Sequence, residues 1–289
     1  MKRRGCAFVI LLVLLLLASL LLVRGGPDIE DGSTLVVELG GEYVESADPP
    51  LLARLIGEAS PPFARLLAEL HKAQRDDRID AVLLRIRDLE IGWAKIQELR
   101  QAVLDLARAG KRTAALLELE SFGANLEYYL ASAANSVHVA PGTTAPVVGL
   151  AAEYLFLGGL WEKLGVEFEV ERVGRYKTAA DTLAGREMSE AHREMADALL
   201  DSIDAQFVAG ISEVRGLTRA QVRKAIDAAP VRAEEMMALG MIDGVSQFDQ
   251  VVEALGGDPV VEAAVYAAVT PEEVGIDPVS RFALIYGTG

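Results

Sequence analysis

The sequence predicts an α/β domain with a largely parallel sheet, set behind an N-terminal membrane helix and followed by a helical arm. Three observations lead there. Short apolar runs of strand length alternate with amphipathic helical stretches from residue 34 to about residue 173. After that the pattern turns almost wholly helical. At the start, Cys6 to Val23 form 18 apolar or small residues without a charge.

The apolar run comes first in the chain. At about 1.5 Å per residue it spans roughly 27 Å, close to the ~30 Å hydrocarbon core of a bilayer. Lys2, Arg3 and Arg4 precede it, and Arg24, Asp28, Glu30 and Asp31 follow. Positive charge ahead of the run keeps the N-terminus in the cytoplasm and places the bulk of the chain outside. A cleaved signal peptide is the rival reading, but no A-x-A-like site follows Val23. Residues 1–24 are therefore expected to be a cytoplasmic tail and signal anchor, and 25–33 a linker.

The elements follow in order. Residues 34–39 (TLVVEL) read as a strand ending at Gly40-Gly41. Two Pro-Pro pairs, Pro49-Pro50 and Pro61-Pro62, mark 45–62 as irregular. Residues 63–76 read as helix and 79–86 as a buried strand. Ile96, Leu99, Val103 and Leu106 recur at helical spacing, with Gly110 placed to end that helix. Strands are expected at 112–118, 136–140, 146–150 and 166–173, with helices at 123–134 and 155–164. Ser189 can cap a long helix to about Val214, with Met195, Leu199, Ile203 and Phe207 on one stripe. Thr218 and Gln221 form a capping box for the next helix. A further helix at 232–239 precedes a strand from Met241 to Val245.

Composition narrows the function. Forty-three acidic residues against 28 basic ones give a net charge of −15. The first 24 residues carry four of the basic and none of the acidic, so the exported part stands at −19. A nucleic-acid binder must neutralise phosphates, so that class is excluded. A single cysteine, Cys6, leaves no disulfide framework and no Cys-based zinc site. His71, His138 and His192 are isolated, so no metal is expected. There is no GxGxxG after a strand, no P-loop, no GxSxG and no HExxH, and no cofactor is expected.

Few residues carry chemistry on their own. Ser121 follows a strand, where α/β folds place functional groups, but a turn or cap serine is the simpler reading. His138 sits in an apolar strand and reads as a core or edge histidine. Trp93 and Trp161 read as packing residues. Glu118 and Glu120 flank a strand end and could pair as carboxylates, a solvated edge being the simpler reading. Lys177 lies in Val173-Gly174-Arg175-Tyr176-Lys177-Thr178-Ala179. To act as a base, a lysine must be brought down from its reference value of about 10.4 by desolvation or by nearby positive charge. Arg172 and Arg175 could supply the charge.

Several stretches resemble one family in its own order. Glu127-Tyr128-Tyr129-Leu130-Ala131-Ser132-Ala133-Ala134-Asn135 with Ala140-Pro141-Gly142 resembles the YYLAS-A…P-G segment of the signal peptide peptidase A family. Leu160-Trp161-Glu162-Lys163-Leu164-Gly165-Val166 and Arg172 to Ala179 resemble its KLGV…RVG-YKSA segment. Met188-Ser189-Glu190-Ala191-His192-Arg193-Glu194 and Ala238-Leu239-Gly240-Met241-Ile242-Asp243 are similar to two later segments. The resemblance runs from about residue 34 to the end.

The resemblance implies a ClpP/crotonase-type βα superhelix and a membrane-anchored protease with a Ser–Lys dyad, Lys177 being the general base. It implies signal peptides as substrates and a ring-like homotetramer at the bacterial inner membrane. Short family members carry serine in an S-G-G-Y-Y setting. Here Asn125 stands at that position, and asparagine cannot attack a carbonyl. Long members are duplicated, with lysine in the first half and serine in the second. This chain matches the first half. Its end, Phe282 to Gly289, reads like the opening strand of a second copy, similar to Thr34 to Gly41. The expected division is thus a lysine-bearing repeat at 34–257, then an inter-repeat linker and first strand of a truncated repeat at 258–289. The loop near Leu89 to Trp93 has one glycine and not a pair, so no oxyanion hole is assigned there. A catalytically inactive scaffold is the alternative function. A crotonase-type acyl-CoA enzyme is disfavoured by the extracytoplasmic location.

Overall fold

The computed structural model describes residues 27–45, 61–121, 123–277 and 279–280. Both the anchor and the terminal stretch Phe282 to Gly289 lie outside the described residues. Among the described residues no helix is long and apolar enough to cross a membrane.

The centre is a six-stranded sheet in the order β5-β4-β3-β2-β1-β6, with every neighbouring pair parallel. Its strands are β1 (Ser33–Gly41), β2 (Ile79–Leu89), β3 (Arg112–Leu117), β4 (Ser136–Val139), β5 (Gly244–Val245) and β6 (Val260–Glu262). Three helices between them cover one face: α1 (Phe63–Arg75), α2 (Trp93–Arg108) and α3 (Asn125–Ala131). Parallel strands must be joined by crossovers, and amphipathic helices bury their apolar stripe on the sheet as they return. In α2 that stripe is Ile96, Leu99, Val103 and Leu106, all fully buried as their spacing predicts. Each such side chain contributes about 1.5–3 kcal/mol. Parallel α/β architecture of this kind fits the ClpP/crotonase-like expectation.

Beyond the core come α4 (Gly158–Lys163), α5 (Asp181–Ala184) and the long α6 (Glu190–Arg215). Then follow α7 (Arg219–Ala228), α8 (Ala233–Ala238), α9 (Phe248–Ala254) and α10 (Ala263–Tyr266). Ser189 caps α6 by accepting from the His192 N–H, and the Thr218–Gln221 capping box opens α7. Both were legible as local patterns.

Four expectations change. Residues 166–173 form no strand, although Val166, Phe168 and Val170 alternate with glutamates. A strand needs a partner ladder, and among the described residues none lies beside it. Residues 146–150 likewise remain irregular. The α6 stripe is only half used: Phe207 is buried while Met195 and Leu199 are exposed. The N-terminal half of α6 runs beyond the residues that cover its other end.

The boundary at residue 257 also moves. β6 pairs with β1 in the register Thr34↔Val260 to Val36↔Glu262, closing one edge of the same sheet. Tyr266 is fully buried behind it, and the Lys72 ammonium donates to the Val269 carbonyl at 2.7 Å. Residues 258–274 therefore belong to this domain.

Candidate functional site

Three regions hold the residues singled out in the sequence. The first is a cleft of about 870 Å³ at the carboxyl ends of β1, β2 and β3. Strand alternation puts Glu38, Arg85 and Glu118 on the same face as Val36, Leu83 and Leu116, whose apolar end is covered by α9. There Arg85 lies over the Phe248 ring of α9 at 4.8 Å and bridges Glu38 at 2.7 Å and Glu118 at 2.9 Å. Glu118 is thus an arginine partner and not half of a carboxylate pair with Glu120. Among the described residues no serine, threonine or cysteine lines this cleft.

The second region holds Asn125 and the loop near Leu89 to Trp93, the stretches the family resemblance singles out, and several of its polar groups are bonded to one another. Asn125 opens α3, and its Oδ1 accepts the Val148 N–H at 2.9 Å, which holds the irregular 146–150 segment. The Leu89 N–H donates to Glu127 Oε1 at 2.9 Å. The Glu90 N–H donates to the Gly41 carbonyl at 2.9 Å. Glu127 is buried, and that burial pushes its carboxyl above the usual range. Asp88 accepts from the Glu120 and Ser121 N–H groups and from the Ser121 hydroxyl at 2.5 Å. The Ser121 bond holds the Asp88 carboxyl below its usual range. Ser121 is therefore a loop clamp. Two convergent free N–H groups are what an acyl-transfer site needs, and these two are spent.

The other singled-out residues are structural. Trp93 stacks against Tyr129 with ring centres 4.7 Å apart. Trp161 lies 5.6 Å from Phe168. His138 Nδ1 is 3.1 Å from the Ser246 hydroxyl, and burial holds its ring below the usual proton affinity.

The third region holds Lys177. It is exposed, on the loop between the 166–173 segment and α5. From Val148 to Lys177 no residue is buried, and Thr178 is the first that is. Carboxylates around the loop are taken by other groups. Asp181 bonds Arg172 at 3.1 Å and the Ser189 hydroxyl at 2.5 Å. Glu194 pairs with Arg175 at 2.9 Å and accepts the Tyr176 hydroxyl at 3.0 Å. Among the described residues the Lys177 ammonium has neither an ion-pair partner nor a hydrogen-bond acceptor. Sequence reasoning found Lys177 and Ser189 but missed Asp181, Glu127 and Asp88. Each acts through a bond to a residue outside its own helix or strand, which apolar periodicity does not reveal.

Lys177 and Asn125 both fall within residues 108–259, the stretch that matches peptidase family S49. The chain belongs to peptidase family S49. This S49 chain is 31% identical to "Serine protease SPPA, chloroplastic" of Arabidopsis thaliana, over 86% of the chain and 37% of that protein. It is 23% identical to Protease 4 of Haemophilus influenzae, over 96% of the chain and 43% of that protein. Protease 4 of Salmonella typhi shares 27% over 53% of the chain and 24% of that protein. The S49 chain thus spans less than half the length of these curated relatives. The family agrees with the resemblance carried by the GRYKTA and YYLAS stretches.

Proposed function

We propose that this chain is the lysine-bearing half of a membrane-anchored serine protease that degrades cleaved signal peptides. Lys177 is the general base, and the serine comes from a second half or a neighbouring copy. One observation carries the reading: Lys177 stands exposed and unpaired on an arm with no buried residue, while the nucleophile position is Asn125, committed to the Val148 N–H.

In this reaction the serine oxygen attacks the peptide carbonyl carbon. Its proton passes to the neutral Lys177 amine, which returns it to the leaving nitrogen as the peptide bond breaks. A lysine in water holds its proton, so the base needs a cover that removes water. The arm presents the surface for one. Leu155, Leu164 and Val173 are 75%, 62% and 92% exposed. After Val166, whose N–H donates to the Trp161 carbonyl, the alternating Phe168 and Val170 lie in an exposed extended segment that a second copy could extend as a sheet. A ring-like homotetramer would bury both features and cover Lys177. The charged start and apolar run of residues 1–24 support an inner-membrane anchor with the S49 domain on the extracytoplasmic side.

The test uses the full-length protein. Lys177→Ala should abolish peptide hydrolysis and leave assembly and unfolding unchanged. Activity at the wild-type rate would sink the role of Lys177. The 289-residue chain alone should cleave nothing, and robust cleavage by it would show that it holds its own nucleophile.

A further inference from the structure

The Lys177 loop is tied down on both sides through one carboxylate. Asp181 Oδ1 takes the guanidinium of Arg172, five residues before Lys177, at 3.1 Å. Its Oδ2 takes the hydroxyl of Ser189, the cap of α6, at 2.5 Å. The Asp181 N–H donates to the Thr178 carbonyl at 2.9 Å, closing the turn that follows Lys177. His192, in the first turn of α6, is buried with its Nδ1 unpartnered and 4.0 Å from Asp181 Oδ2. The rings of Tyr154 and Phe156 meet it edge-on at 4.5 and 5.9 Å. Thr178 is 2% exposed beside it all.

From this geometry we infer that Asp181 and Arg172 are a pair of positioning residues for Lys177. The pair joins the chain before the lysine, the turn after it and the start of α6 at one point. It also disposes of a carboxylate. Residues three apart in a hydrogen-bonded turn have Cα atoms within about 7 Å, so Asp181 sits within the reach of a lysine stem on this loop. An unpaired carboxylate there would bind the Lys177 ammonium and hold its proton. The Arg172 guanidinium offsets the Asp181 charge and the Ser189 hydroxyl takes its other oxygen, so the carboxylate pulls less on the Lys177 ammonium. The other charged groups facing the loop are Arg175 on the loop itself and Glu190, His192 and Glu194 on α6. Of these carboxylates Glu194 is held by Arg175 and Tyr176, and Glu190 lies 4.0 Å from Arg175.

This inference rests on the reading of Lys177 as the base, and one experiment separates the two. In the full-length protein, the rate at which Lys177 is acetylated by acetic anhydride at fixed pH reports its neutral fraction. Peptide mapping reads it site by site, without any need for hydrolysis. Arg172→Gln frees Asp181, and Lys177 labelling should fall about tenfold, the effect of a newly unpaired carboxylate within contact range. Arg172→Gln with Asp181→Asn removes both charges and should restore labelling to near the wild-type rate. Arg172 is half exposed, so neither variant threatens the core, and the unfolding midpoint is read alongside. Unchanged labelling in Arg172→Gln, or no recovery in the double variant, overturns the inference. If labelling falls and recovers while the pH profile of hydrolysis stays fixed, the pair stands and the base assignment to Lys177 fails.

Discussion

The region from Leu89 to Val148 and the arm from Val148 to Thr178 are built on opposite principles. In the first, the polar groups a hydrolase would leave free are bonded internally: Asn125 to Val148, Leu89 to Glu127, Asp88 to Ser121. In the second, backbone and apolar side chains face outward, and Lys177 has no partner among the described residues. The first region is held together from within. An open arm is incomplete alone and can be completed by something else. Half of a divided catalytic centre needs both properties, one to keep the copy folded and the other to meet its counterpart.

Substitutions can sharpen this contrast, and the largest effect should come from the closed region. Arg100 is buried and joins α2 to the Tyr129 carbonyl, to the Ser132 hydroxyl at 2.8 Å and to the Gly210 carbonyl at 2.6 Å. Arg100→Ala leaves these groups buried without their donor. Denaturant unfolding should show a loss of about 3 kcal/mol. A loss below about 1 kcal/mol would mean that the region is not held from within.

Acid should act next, on carboxylates held beside the starts of β2 and β4. Burial raises the proton affinity of Asp76, but the bonds from Arg78 and Tyr266 outweigh it and hold the carboxyl below its usual range. Asp243 is held down in the same balance by Arg215 and the Val137 N–H. For a depressed carboxylate the unfolded chain binds protons first as pH falls. The stabilisation is therefore complete above about pH 4 and is lost below it. Asp76→Asn should cost about 1–2 kcal/mol at pH 7 and make the fall in melting temperature between pH 5 and 2 shallower. An unchanged acid slope would remove Asp76 from this role.

Asn125→Ser tests whether the closed site is merely missing an oxygen. The variant gives up the bond to Val148 and should lose about 1 kcal/mol. It should gain no hydrolysis, because the Leu89 and Glu90 N–H groups stay committed. Cleavage that depends on Lys177 in this variant would break the contrast outright.

The smallest effect on folding should come from the arm. Val173 is 92% exposed, so Val173→Ser should change unfolding by less than about 0.5 kcal/mol. The same change should weaken assembly of the full-length protein in sedimentation. A larger folding cost with unaltered assembly would show that the arm is packed within its own chain.

Much of this was legible residue by residue. The strands at 79–86 and 112–118 and the helix from Trp93 appear as read, because apolar periodicity is a local consequence of helix and strand geometry. Lys177 and Asn125 were found through motif order, which spacing alone would not have flagged. Glu127 and Asp181 were not found. Each matters through a bond to a residue distant in sequence or to a loop, and nothing in its own neighbourhood announces that bond.

The sequence by itself determined where the long helices start and which face of the helix from Trp93 turns inward. Caps such as Ser189 and Thr218 act within one turn, so their effect is written next to them. Only the tertiary structure decided that β6 closes the β1 edge, so that residues 260–262 belong to the sheet. Only it decided that 166–173, with the alternation of a strand, has none to pair with among the described residues. The physical reason is the same for both. A helix satisfies its hydrogen bonds within its own segment, whereas a strand exists only where another strand stands beside it.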